Sequence, residues 1–351
     1  MKFNKNNFNF FFLNYISDLI IIWLPWIFYR YNNYYVNFLA DTTQTILLYI
    51  AVAYSVISLP YQIYNTLNET NSKGRIFIKT FISFINQVFG YINSFTVNVN
   101  KSKIVLKPED RTILLIYLVK IYYIPLMLNY LIQDVQGMMF NYNYFIANLH
   151  YYFSLAYFNQ IIYPLLYKVL FVVDTFFFTF GYIIETKFLK STIKSVEPTF
   201  FGWFVALICY QPFINIISPF VPWYTDFSIY YFNSITITFI FRFLIIILLI
   251  IYVWASISLG AKCSNLTNRG IVSKGAYKYV RHPAYISKNL LWWLMIIPVI
   301  PQYTIFPILS MAFWSFIYFL RAITEERHLM QDVDYQNYCK VVKYRFIPYV
   351  Y

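Results

Sequence analysis

Residues 235–258 read ITITFIFRFLIIILLIIYVWASIS, an apolar run interrupted by a single charge, Arg242. A helix of that length, rising 1.5 Å per residue, more than covers the roughly 30 Å of hydrocarbon in a bilayer. Working outward, runs of this kind recur at 8–29, 45–64, 112–132, 151–184, 200–217, 290–300 and 304–323. The last two are separated only by Pro301, Gln302 and Tyr303, and Pro298, Pro301 and Pro307 break helical hydrogen bonding around them. A tight helical hairpin with a short first arm is expected there. The fold class is therefore all-α, a polytopic membrane helix bundle of about eight transmembrane helices ending in a helical hairpin.

Composition agrees. Of 351 residues 60% are hydrophobic and 12% charged, with a mean hydropathy of +0.53, about half the charge of a soluble domain. The 37 Tyr and 37 Phe suit lipid-facing surfaces and interfacial belts. A net charge of +13 on a soluble chain would point to nucleic acid; on a membrane chain it is read loop by loop, and no nucleic-acid partner is expected. Cys209, Cys263 and Cys339 have no metal-ligand spacing and form no disulfide framework, so no metal site is expected. Lys2 and Lys5 precede an apolar run too long for a signal peptide, and no small-residue cleavage site follows, so 8–29 is read as a retained anchor.

Lys and Arg concentrate in alternate connections, as cytoplasmic loops do. Segment 65–111 carries Lys73, Arg75, Lys79, Lys101, Lys103, Lys107 and Arg111; 185–199 carries Lys187, Lys190 and Lys194; 259–289 carries Lys262, Arg269, Lys274, Lys278, Arg281 and Lys288. Segments 133–150, 218–234 and 301–303 carry none, and 30–44 only Arg30. Both termini are accordingly expected in the cytoplasm. Residues 76–95 are read as an amphipathic helix lying on the membrane, because a further span would break the alternation. Charges inside spans, Lys120, Lys168, Asp174 and Arg242, are candidates for binding; the plainer reading is that Lys168 pairs with Asp174 or that these side chains snorkel.

Two polar clusters stand out near the end. Residues 269–285 read RGIVSKGAYKYVRHPAY, in which Gly270 and Gly275 allow turns or close backbone approach and Pro283 fixes the chain after His282. Tyr277, Tyr279 and Tyr285 offer aromatic faces and hydroxyls to a flat ring and its sugar. Taken alone, this stretch is equally a basic juxtamembrane turn with interfacial tyrosines. Residues 321–329 read RAITEERHL, where spacing four puts Arg321 and Glu325 on one helix face. Adjacent Glu325 and Glu326 can hold a cation or steer a substrate, and Arg321 can clamp a carboxylate or phosphate. The short hairpin returns this cluster to the membrane face that carries His282.

These residues resemble the isoprenylcysteine carboxyl methyltransferase and phospholipid methyltransferase superfamily. The resemblance rests on Gly275-Ala-Tyr277, Arg281-His282-Pro283-Ala284-Tyr285, Arg321 with Glu325-Glu326 and Leu329, and Tyr335 with Tyr338. It covers 259–351 and divides the chain into a membrane-spanning region, 1–258, and a catalytic core, 259–351. It implies S-adenosylmethionine as cofactor at a cytoplasmic site, held by Arg269, Gly270, Ile271 and Val272, by Tyr277, by His282, Pro283, Ala284 and Tyr285, and by Glu325. It also implies that Arg321 faces the methyl acceptor, a lipid or lipidated molecule, so that Arg321 and Glu325 are the catalytic pair. Ser287 stands where phospholipid methyltransferases often carry Gly, which mildly disfavours the phospholipid branch. A carboxylate such as Glu325 balances a sulfonium, and methyl displacement needs chiefly positioning. Two alternatives remain: an NADPH-dependent membrane sterol reductase, which the ending at 338–351 also resembles, and a non-catalytic multi-span binding or transport protein.

Overall fold

Lipid offers no hydrogen bonds to bare peptide groups, so apolar runs of this length fold as helices. The computed structural model describes residues 5–96, 104–225 and 232–350, and Lys2, Lys101 and Lys103 lie outside them. In order, the helices are α1 (Lys5–Tyr31), α2 (Asn33–Phe38), α3 (Asp41–Leu67), α4 (Lys73–Thr96), α5 (Pro108–Ala147), α6 (Leu155–Tyr157) and α7 (Tyr163–Ile183). They continue as α8 (Phe200–Leu207), α9 (Phe213–Ile217), α10 (Ile235–Leu259), α11 (Pro283–Ile296), α12 (Ile300–Tyr303), α13 (Phe306–Leu329) and α14 (Val333–Val341). The one sheet among the described residues is a ribbon of β1 (Ser195–Val196) antiparallel to β2 (Thr267–Asn268).

Among the described residues seven helical segments are long and apolar enough to cross a membrane: Asn7–Tyr31, Asp41–Leu67, Pro108–Ala147, Leu155–Ile183, Ile235–Lys262, Pro283–Tyr303 and Phe306–Leu329. The chain is an all-α, multi-pass integral membrane protein. The fifth expected span in chain order, 200–217, is not one helix but two short ones, α8 and α9. Pro212 has no N–H to give, and α8 ends with Ile208 donating back to Phe204 before Pro212 restarts the chain. The terminal hairpin is present, and its first arm begins at Pro283 rather than 290. Residues 76–95 fall within α4.

The chain divides into two compact units, Met1–Pro125 and Leu126–Tyr351. Within the first, α1 and α5 each contain a proline, Pro25 and Pro125. Each proline strips a helical donor from the carbonyl four residues earlier. A tyrosine replaces it in both cases: Tyr117 donates to Ile21 O (2.7 Å) and Tyr29 donates to Ile121 O (2.7 Å). Asp18 on α1, almost fully buried, accepts from Gln62 on α3 and from the Gly74 amide (3.0 Å) at the start of α4.

The core of the second unit forms where α7, α10, α11 and α13 meet, around Leu249, Leu291, Ile296 and Trp314. The connection before α10 is fastened to α13: Trp314 Nε1 donates to Val221 O (3.2 Å) and Ser310 to Pro222 O. Lys168 does not pair with Asp174. Six residues apart on α7, their side chains point about 120° from each other. Lys168 instead bonds Asp134 (2.9 Å), while Asp174 accepts from Tyr252 (2.6 Å) and Ser256 on α10. Arg242 donates to Asn159 O and lies over the Tyr163 ring.

Candidate active site

The start of α11 and the end of α13 build one side of a cavity enclosing about 810 Å³, its open mouth included. Gly275 makes the approach possible. It sits at φ +62°, and a side chain there would collide with Ser258, whose hydroxyl accepts from the Ala276 amide (3.3 Å). The short helical turn that follows carries Tyr277 to the cavity wall. Burial pushes its phenol well above the ordinary tyrosine value. His282 then leads into α11, and its backbone N–H donates to Arg345 O (2.9 Å).

Helix phase separates the two adjacent glutamates. Glu325, four residues after Arg321, lies some 40° from it around α13, whereas Glu326 lies some 140° away. Arg321 and Glu325 both line the cavity. Between them stands Tyr285, whose hydroxyl donates to Glu325 Oε2 (2.8 Å) and whose ring lies 5.4 Å from the Arg321 guanidinium. Glu325 makes no ion pair among the described residues, so its charge is left facing the cavity. Arg321 is buried; it donates from Nη2 to Asn265 Oδ1 (3.0 Å) and also packs over Tyr318 (4.7 Å) and Tyr210 (5.6 Å). Its Nη1 is buried with no hydrogen-bond partner among the described residues.

Glu326 has a different task. Its carboxylate receives Arg281 Nε (2.9 Å), His282 Nε2 (3.0 Å) and both Nε (2.9 Å) and Nη2 (2.8 Å) of Arg345. This buried knot ties the segment before α11 to the C-terminal chain and fixes His282, whose ring stacks on Tyr285 with centroids 5.3 Å apart. A carboxylate so fully used has no capacity for a cation shared with Glu325.

Of the residues singled out from the sequence, Tyr277, His282, Ala284, Tyr285, Arg321 and Glu325 come together on the cavity. Arg269, Gly270, Ile271, Val272 and Pro283 do not line it. Arg269 is buried, donates to Ser191 O (2.9 Å), and burial pulls its guanidinium below the ordinary arginine value. The Gly270 amide donates to Asn268 Oδ1 (2.8 Å), and Ile271 packs with Tyr277 against Tyr335 and Tyr338. Val272 is partly buried beside them in sequence, and Pro283 is buried as the first residue of α11.

Sequence reasoning missed several wall residues. Asn265, Leu266 and Thr267 lie just before the motif, and Glu197, Gly202 and Ala206 come from a connection read only as a basic loop and a span. Glu197 is 2% exposed. Its Oε1 accepts from the Thr199 amide (3.0 Å), the Thr199 hydroxyl and Arg327 Nη2 (2.8 Å), while Oε2 is buried without a hydrogen-bond partner among the described residues. His328 lines the same wall and bonds Ser195 Oγ through Nε2 (2.8 Å). The signal available was weak: Glu197 is one of two acids, with Glu185, in a segment carrying Lys187, Lys190 and Lys194, and its partner Arg327 is 130 residues away.

Residues 235–331 match the model of the isoprenylcysteine carboxyl methyltransferase family, a little over a quarter of the chain. The match runs from α10 to the end of α13 and takes in the cavity residues from Ser256 onward. No curated protein and no solved structure matches the chain.

Proposed function

We propose that this chain is an S-adenosylmethionine-dependent carboxyl methyltransferase that acts on a lipid or prenylated acceptor at the cytoplasmic face of its membrane, with both termini in the cytoplasm. The observation that carries the reading is the Arg321–Tyr285–Glu325 arrangement: an acid and a base of opposite charge, held on either side of one aromatic ring, in a cavity beside the membrane-spanning core. The family match to 235–331 supports the same chemistry.

The donor set fits the cofactor. S-adenosylmethionine, when bound, supplies an electrophilic methyl group on a sulfonium. Glu325, hydrogen-bonded to a neutral hydroxyl and to no cation among the described residues, supplies the negative charge that such a group needs nearby. Tyr277, His282 and Tyr285 supply aromatic surface around it and Ala284 a small apolar one, and Glu326 holds His282 and Arg281 in place. Arg269, Gly270, Ile271, Val272 and Pro283 act one step removed, by fixing the backbone that carries Tyr277 and His282.

Arg321 defines the acceptor. Its unused Nη1 donor in a buried setting costs free energy until an acceptor atom arrives, and a carboxylate satisfies it while keeping the charge balanced. A carboxylate is ionised at neutral pH and needs no base to attack, which matches a site whose two histidines are engaged, His282 with Glu326 and His328 with Ser195. An amine headgroup would meet repulsion from the same guanidinium. Calorimetry on the detergent-purified protein tests the proposal. S-adenosylmethionine should bind and NADPH should not; binding of NADPH alone would move the chain to the reductases, and binding of neither would remove both enzymatic readings.

A further inference from the structure

We infer that Glu197, contributed by a segment outside the matched family region, accepts hydrogen bonds from the ribose hydroxyls of the bound nucleoside; this rests on the methyl-donor reading above. The segment reaches the cavity by strand pairing. Ser195 and Val196 pair with Asn268 and Thr267, the Lys194 amide donates to Asn268 O (2.8 Å), and the Glu197 amide donates to Leu266 O (2.7 Å). Glu197 thus lines the cavity beside Leu266, Thr267 and His328.

Its carboxylate is fixed and half-used. Thr199 and Arg327 occupy Oε1, and Oε2 has no hydrogen-bond partner among the described residues although the residue is 2% exposed. Gly202 leaves room for it: a Cβ at that position would run into the Glu197 side chain. A buried carboxylate oxygen without a donor is destabilising, and a ligand donor removes that cost on binding.

Charge decides which donor. Arg327 already balances Glu197 at 2.8 Å, so a second cation there would be repelled, whereas Glu325, lining the same cavity, forms no ion pair among the described residues. The sulfonium and ammonium therefore belong on the Glu325 side, and Glu197 is left for uncharged donors. A ribose diol is the uncharged donor pair of the methyl donor, and carboxylates take such diols elsewhere in nucleotide sites.

The test is calorimetry with S-adenosylhomocysteine and its 2′-deoxy and 3′-deoxy analogues, on the wild-type protein and on Glu197→Gln. In the wild type at least one deoxy analogue should bind about tenfold more weakly, and that loss should shrink to about threefold or less in the variant. Glu197→Asp keeps the charge facing Arg327 but withdraws the oxygen, and should show the same shrunken loss; it serves if the amide variant does not fold. Equal losses in wild type and variants, or no loss in the wild type, would overturn the assignment while leaving the methyl-donor reading intact. Failure of wild-type protein to bind S-adenosylhomocysteine would remove that reading, and this inference with it.

Discussion

Adjacent glutamates should give opposite phenotypes. Glu326→Gln removes a charge that is 4% exposed and leaves Arg281, Arg345 and His282 sharing one amide oxygen in place of four charge-assisted contacts. Breaking a buried ion pair from one side costs about 3–5 kcal/mol, and the 12% and 19% exposure of the arginine side chains puts the expectation at the lower end, about 3 kcal/mol. That corresponds to a fall in thermal midpoint on the order of 10 °C. Glu325→Gln removes a charge at an exposed residue while its amide oxygen can still accept from Tyr285, so stability should change by no more than about 1 kcal/mol. Ligand affinity should separate them the other way. In the Glu325 variant S-adenosylhomocysteine affinity, a neutral thioether, should fall less than S-adenosylmethionine affinity, because the lost charge faces the sulfonium. Thermal unfolding in detergent reads the first contrast and calorimetry the second. Equal destabilisation by the two substitutions, or an unchanged midpoint for Glu326→Gln, would refute the division of labour.

Arg321→Lys keeps the charge but loses the fork that bonds Asn265 and leaves Nη1 for the acceptor; turnover should fall by about 10²-fold with cofactor affinity little changed, as separate kinetic and binding measurements will show. Tyr29→Phe should cost about 1–3 kcal/mol by orphaning Ile121 O, and adding Pro125→Ala should recover most of it, since an alanine N–H can then serve that carbonyl; no recovery in the thermal midpoint would contradict the clasp. Partial burial lifts the Asp332 carboxyl, but hydrogen bonds from Asn268 (2.9 Å) and Lys194 (3.0 Å) outweigh it and hold the group below the usual carboxylate range. This tie is fully present above an unfolded value of about 3.9 and is lost as pH falls through the lower folded one. Asp332→Asn should therefore flatten the acid side of the stability profile below about pH 4.

Much of this was legible in sequence because lipid allows few answers. Apolar length alone located the seven helices, and the spacing of Arg321 and Glu325 put both on the cavity. The segment at 200–217 misled because hydropathy does not register Pro212, which separates α8 from α9. Tyr210, in that break, reaches Arg321 because the chain is not helical there. Glu325 and Glu326 are identical in type, and only the 100° step around α13 assigns one to the cavity and the other to Arg281, His282 and Arg345. Glu197 had only a weak local signal, an acid in an otherwise basic segment. Its role depends on a two-residue ribbon and on Arg327, and neither β pairing nor an ion pair across 130 residues can be read from one sequence. The motif glycines and Arg269–Val272 were visible as unusual, yet their position behind the wall, bonded to Ser191 and Asn268, required coordinates.

The most direct test is transfer of a labelled methyl group from S-adenosylmethionine into the lipid extract of membranes carrying this protein, followed by mild alkali. A carboxyl methyl ester releases its label as volatile methanol, whereas a methylated amine keeps it. We expect alkali-volatile label that is lost with Arg321→Lys and Glu325→Gln. Label that resists alkali, or no transfer above membranes lacking the protein, would contradict carboxyl methylation at this site.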